Sequence, residues 1–147
     1  MHKNIKTLKL ISDEIGVSGV IAALDYRKKI GNRYFIYDHV SKKNIKINIF
    51  DYIQQLQENG AGEILLNYIN NDGIMKGLDI DTIKKINNIC EVPLIICGGA
   101  GMLSDIEEAQ NAGASAIAAG SMFVYFGKQK GILINYPKES TLRQYLK

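Results

Sequence analysis

Leu94-Ile95-Ile96-Cys97-Gly98-Gly99-Ala100-Gly101 and Ser115-Ala116-Ile117-Ala118-Ala119-Gly120-Ser121 decide the fold of this chain. Pro93 opens the first run, a strand from Leu94 to Cys97, and the second is a strand from Ser115 to Ala119. A helix capped by Ser104 lies between them, with Asp105, Glu107 and Glu108 near its positive N-terminal end. Strand, helix and strand in so short a span form a βαβ unit with parallel strands. Glycines at both strand ends let backbone N–H groups approach an anion, the Ser121 hydroxyl adds a donor, and a helix N-terminus adds positive charge. A double glycine alone also fits a tight turn. Two such turns at consecutive strand ends point to a phosphate site.

Working outward, the same alternation continues. Asp79 caps a helix that reaches about Cys90, and Glu63 to Asn67 is the strand before it, followed by the polar loop Asn70-Asn71-Asp72-Gly73. Phe50 to Gln57 reads as a helix stopped by Asn59-Gly60. Arg33 to Val40 is aromatic and β-branched, a surface strand or ribbon, and Val17 to Leu24 is an apolar strand buried on both faces that ends at Asp25. At the start, Ile5, Leu8, Ser12 and Ile15 share one helical face, with Gly16 as the stop. Beyond Pro137, Leu142, Tyr145 and Leu146 suggest a helical tail over residues 138–147. Gly60-Ala61-Gly62-Glu63-Ile64 is echoed by Gly113-Ala114-Ser115-Ala116-Ile117, each leading from a helix into a strand. Repeated βα pairs build a (β/α)8 barrel. Only four strands are visible, so residues 1–147 read as one α/β domain, half of a TIM-type barrel.

Bulk properties narrow the function. With 147 residues, 46% hydrophobic and 22% charged, the chain can bury a real core, which argues against long disordered tails. The net charge of +3 is mild and spread out, so a small anion fits better than nucleic acid. Cys90 and Cys97 are too few and too close for a disulfide framework, which makes a reducing cytoplasm the expected compartment. The cysteines and the two histidines, His2 and His39, lack zinc-ligand spacing, so no metal or cofactor is expected. No stretch has the apolar length to span a bilayer, and no apolar run with a cleavage site follows the N-terminal lysines.

In a βα barrel, chemistry sits at the C-terminal ends of the strands. Asp25 ends the first visible strand and Asp72 follows the second, so both carboxylates face one mouth and suit acid–base work. They equally fit a capped turn and a turn dipeptide. Cys97 has no histidine placed to activate it and reads as a small packed residue, with Cys90 as helix filler. His39 reads as a solvated surface residue, Lys42-Lys43 as an exposed turn, and Tyr34, Tyr37 and Tyr52 as packing.

With these residues in place, the chain resembles the cyclase subunit of imidazole glycerol phosphate synthase, from about Ile5 to Pro137. The resemblance rests on Gly60-Ala61-Gly62-Glu63-Ile64-Leu65-Leu66-Asn67, Asp72-Gly73, Gly77-Leu78-Asp79 and Gly98-Gly99-Ala100-Gly101. Ala118 to Val124 and Leu133-Ile134-Asn135-Tyr136-Pro137 are most similar to paralogues of surface-polysaccharide and flagellin-sugar clusters. The resemblance implies a cytoplasmic lyase-type subunit of histidine biosynthesis that uses ammonia from a glutaminase partner on a phosphorylated ribulosyl-aminoimidazole substrate. It implies that Asp25 is one of two catalytic aspartates and that Asp72 lies near the substrate. Gly73, Gly99 and Ser121 would hold the second phosphate, with Asn67, Gly98 and Gly120 as further binding positions. Glu63 would belong to a charged ring where ammonia enters.

This sequence departs from the family pattern in three places. The first four strands and the other catalytic aspartate are missing, a loop usually Asp-Arg-Asp-Gly-Thr is Asn70-Asn71-Asp72-Gly73-Ile74, and the chain starts in a helix. A half-barrel exposes strand edges and an apolar face, so a homo-oligomer or a separate N-terminal half-barrel is expected as partner. Two alternatives stand beside the cyclase: an ammonia-channelling accessory for sugar amidination in surface-glycan biosynthesis, and a truncated phosphate-binding half-barrel without catalysis.

Overall fold

The structure, a computed structural model, describes residues 2–31, 33–127 and 129–146, with side chains from Ile5 onward. The His2 side chain therefore lies outside the described residues. Helix α1 (His2–Ile15) leads through a 3-10 turn (Val17–Gly19) into β1 (Ile21–Lys29), β2 (Arg33–Asp38) and β3 (Lys43–Ile45). There follow α2 (Ile49–Glu58), β4 (Glu63–Tyr68), α3 (Ile80–Asn87), β5 (Leu94–Cys97), α4 (Leu103–Asn111) and β6 (Ala116–Ala118). The C-terminal part holds α5 (Ser121–Val124), a small hairpin of β7 (Tyr125–Phe126) and β8 (Gly131–Ile132), and α6 (Glu139–Leu142). The main sheet has the order β3-β2-β1-β4-β5-β6. Its β1, β4, β5 and β6 run parallel and β2 and β3 form an antiparallel ribbon beside β1. The four βα units of half a TIM-type barrel are therefore present.

Alternation along the strands splits the sheet into two unlike faces. Ala22, Leu24, Ile64, Leu66, Leu94 and Ile96 face the helices and are buried. They pack against Ile49, Tyr52, Ile53 and Leu56 of α2 and Ile83 and Ile86 of α3. Full burial of one such aliphatic side chain contributes roughly 1.5–3 kcal/mol. The other face carries rows set by register: Ala23, Leu65, Ile95 and Ala116, then Asp25, Asn67, Cys97 and Ala118. This is the barrel's inner face, and no helix among the described residues covers it. Ile21 on that face is 55% exposed, and Ala23 and Ala116 are exposed.

Several boundaries differ from the sequence reading. The strand expected from Val17 and buried on both faces begins at Ile21, because Val17–Gly19 makes a turn, and only its helix side is buried. Asp25 is not the strand's last residue: β1 runs on to Lys29, pairing with β2 along its other edge from Tyr26. Ser104 lies inside α4. Asp105 Oδ2 accepts from the backbone N–H groups of Gly101 and Met102 at 2.7 and 3.0 Å and does the capping. Asp79 caps α3 as read, but the helix ends at Asn87, so Cys90 follows it and its thiol donates to the Val92 carbonyl. Ile15 is 61% exposed despite sharing the face of buried Ser12. The tail is one helical turn, Glu139–Leu142, and a cavity of about 600 Å³ lies between it, α4 and β6.

Candidate functional site

The mouth of the half-barrel is built on Asp25. Its register partner Asn67 donates from Nδ2 to Asp25 Oδ1 at 2.7 Å. The other oxygen, Oδ2, lies 2.9 Å from Nε2 of His39. The Asp25 side chain is 29% exposed and the His39 side chain 67%. His39, read from sequence as a solvated residue, is therefore a partner of Asp25, although its ring is largely in water. The missed signal was spacing. Tyr37 and His39 are two residues apart at the end of a ribbon that folds back along β1, so both reach the side that carries Asp25 and Arg27.

The second carboxylate is looser. Asp72 is exposed, and its backbone N–H donates to the Tyr68 carbonyl at 3.1 Å. Asp72 and Asp25 nonetheless converge on Cys97. Burial pushes the Cys97 thiol up, the charges of Asp72 and Asp25 push it further, and the Gly98 N–H opposes them. A thiol held protonated is a poor nucleophile, which agrees with the packed role. Iodoacetamide at neutral pH should label Cys97 several-fold more slowly than free cysteine, and Asp72→Asn should raise that rate. Labelling as fast as free cysteine would contradict this account.

Beside Asp25 the glycine loops close on one another. Gly99 has φ +119, and a Cβ there would stand 2.2 Å from the Gly77 carbonyl oxygen, so no larger residue fits. The Gly77 N–H donates to the Gly99 carbonyl at 2.9 Å, and Asn71 Nδ2 donates to the Gly77 carbonyl at 2.9 Å. A Cβ on Gly98 would meet the Tyr68 carbonyl at 2.5 Å and Asn67 Oδ1 at 2.7 Å. The loop after β4 is thereby clamped onto the loop after β5. Gly73 faces Ser121, whose Oγ would stand 4.0 Å from a Cβ on Gly73. The Lys130 ammonium, on the β7–β8 turn, reaches the Gly73 carbonyl at 3.3 Å. Gly120 precedes α5, which is only a four-residue turn. The helix charge expected there is correspondingly slight, and any anion would rely on backbone N–H groups, Ser121 and Lys130.

Glu63 sits at the opposite end of β4 from Asn67, half-buried and paired in register with Ile21. Four residues of strand separate the two, about 13 Å. Among the described residues, no group of three or more His, Cys, Asp or Glu is placed to hold a metal ion. No helix among them is long and apolar enough to cross a membrane.

Residues 1–130 match the family described as "Histidine biosynthesis protein". A protein of Leptospira interrogans, provisionally named imidazole glycerol phosphate synthase subunit HisF, is 41% identical over 137 residues, 92% of this chain and 54% of its own length. One of Vibrio vulnificus, provisionally named subunit hisF3 of the same synthase, is 36% identical over 148 residues, 99% of this chain and 57% of its own. The imidazole glycerol phosphate synthase subunit HisF of Petrotoga mobilis is 36% identical over 124 residues, 84% of this chain and 49% of its own. The chain thus spans about half the length of the curated relatives it matches.

Proposed function

This chain belongs to the histidine biosynthesis protein family, and from that premise we propose that it forms the C-terminal half of a cyclase of the imidazole glycerol phosphate synthase type. One observation carries the reading: Asp25 is held by Asn67 on the bare inner face, beside the clamped glycine loops. In this reading Asp25 takes and returns a proton on a phosphorylated ribulosyl-aminoimidazole substrate. Asn67 fixes the carboxylate, and Gly73, Gly98, Gly99, Gly120 and Ser121 bind one phosphate. Asp72 lies at the substrate's edge. Ammonia from a glutaminase enters past Glu63 and crosses the inner face toward Asp25.

The bare face supports a second half as partner. Eight strands close a barrel whose interior side chains can fill. Here the Ile21–Asp25 stretch lies beyond the rungs that pair β1 with β2, and β6 ends the sheet. A complementary half-barrel, a second copy or a separate N-terminal half, would pair both edges and bury Ile21, Leu65 and Ile95.

Turnover of the aminoimidazole substrate with ammonium chloride tests this, using the chain alone and mixed with an N-terminal half. Imidazole product from either sample supports cyclisation. Failure in both, with a folded chain that binds inorganic phosphate, would sink it and leave a phosphate-binding half-barrel. If glutaminase activity is raised by a chain that makes no product, ammonia delivery replaces cyclisation, because delivery needs Glu63 and the inner face but not Asp25.

A further inference from the structure

His39 is tied to Asp25 by more than one distance. Asp38 Oδ1 accepts from the Val40 N–H at 3.0 Å and Asp38 Oδ2 accepts from the Ser41 hydroxyl at 2.8 Å, a local turn that fixes the backbone on both sides of His39. The His39 ring stands edge-on to Tyr37, with centroids 4.8 Å apart at 89°. The guanidinium of Arg27 lies 4.4 Å from the centre of the Tyr37 ring. Arg27, Tyr37, His39 and Asp25 form one continuous array across the ribbon, ending on the carboxylate.

We propose that His39 is a positioning residue for Asp25. Asn67 holds Oδ1 and His39 holds Oδ2, so both oxygens have a donor and the plane of the carboxylate is set. The Asp25 side chain keeps 29% of its surface exposed with both contacts made. An exposed ion pair by itself contributes little to stability. The effect of His39 is therefore on orientation, where a small misplacement costs rate rather than folding. Nε2 of the imidazole can donate to Oδ2 in either charge state of the ring, so the contact orients the carboxylate whether or not His39 carries a charge. The other groups around the carboxylate are Arg27 on β1, Tyr37 on β2, Asn67 on β4, Cys97 on β5 and Asp72 in the loop after β4. Asp38 is already engaged by Val40 and Ser41, which hold its carboxyl below the usual range. The inference rests on the acid–base reading of Asp25.

Two measurements on the whole chain test it. In carbon-13 aspartate spectra, assigned with Asp25→Asn, the Asp25 carboxyl signal should shift as the imidazole titrates, and His39→Ala should remove that step. In turnover, His39→Ala should lower kcat about tenfold to a hundredfold with little change in KM, as lost orientation does. His39→Gln keeps an N–H donor without a titrating group. It should recover most of the lost kcat. An Asp25 signal that ignores the imidazole, or a His39→Ala variant with unchanged kcat at every pH, overturns the positioning role. Full activity of Asp25→Asn overturns instead the acid–base reading beneath it, so the two failures are distinguishable.

Discussion

Replacing Asp25 with Asn should lower ammonia-dependent turnover by about 10²- to 10⁴-fold while leaving the fold intact, the range by which a positioned acid–base group accelerates a reaction. The substitution is nearly isosteric. Its oxygen still accepts from Asn67, so the rung that joins β1 to β4 survives. The side chain is partly exposed and outside the helix-covered core, where such changes move stability by roughly 0.5 kcal/mol or less. KM should change little, since the proposed phosphate contacts come from Gly73, Gly99 and Ser121. Asp72→Asn should cost much less, because Asp72 is exposed and lies at the edge of the proposed site. Steady-state assays with circular dichroism on the same samples would separate lost chemistry from lost structure. If the variant is folded and its rate lies within about threefold of wild type, Asp25 is not the proton-transfer group and the chain is better viewed as a binding half-barrel.

How much of this was legible beforehand depends on the range of the forces involved. The four parallel strands could be read because each is a short apolar run closed by glycine or a polar loop, and both signals are local. Gly99 could be read as a special position for the same reason, although the atom that forbids a side chain, the Gly77 carbonyl oxygen, comes from another loop. The misplaced start of β1 shows where apolar character runs out as a guide. Val17 is as apolar as Ile21, but Val17–Gly19 makes a turn whose Val17 carbonyl would stand 2.1 Å from a Cβ on Gly62. That contact lies more than forty residues away in sequence. His39 was missed likewise, since its spacing from Tyr37 gives the face it points to but not the carboxylate partner, Asp25, which comes from a neighbouring strand. An uncovered apolar face was expected of a half-barrel, but the residues that form it were not read. Ile21 and Ala23 alternate with buried Ala22 and Leu24 in a run that reads as apolar throughout, and only the sheet's topology separates lumen from core.

The strongest structural prediction concerns Asp79, which the sequence marked only as a helix cap. It does cap α3, accepting from the Thr82 N–H at 3.4 Å and the Thr82 hydroxyl at 2.6 Å. Its side chain is also only 8% exposed and receives the Lys28 ammonium at 2.7 Å and the Tyr26 hydroxyl at 3.0 Å. One carboxylate thus fastens the upper half of β1 to the start of α3. Tyr26, 1% exposed and stacked on Tyr68 at 5.0 Å, is held above the ordinary tyrosine range by burial and then by Asp79, so it stays a hydroxyl donor. Burial pushes the Lys28 ammonium down, yet the Asp79 hydrogen bond and charge overcome this and leave it raised. The sign follows: the stability linked to the raised Lys28 value is present below the unfolded lysine value of 10.5 and is lost as pH rises through the higher folded value. Asp79→Ala removes the cap and strands a half-buried cation, so urea unfolding should show a loss of about 3–5 kcal/mol. Whole domains have only about 5–15 kcal/mol to lose, so this variant could fail to fold at all. Asp79→Asn is the milder variant, since Asn caps a helix as well as Asp, although it removes the charge and turns one of the two accepting oxygens into a donor. It should fall between the two, and pairing it with Lys28→Met should restore part of the difference. If Asp79→Ala unfolds at the wild-type urea midpoint, the network does not hold the ribbon to the barrel, and the base of the hairpin that carries His39 must be fixed by other contacts.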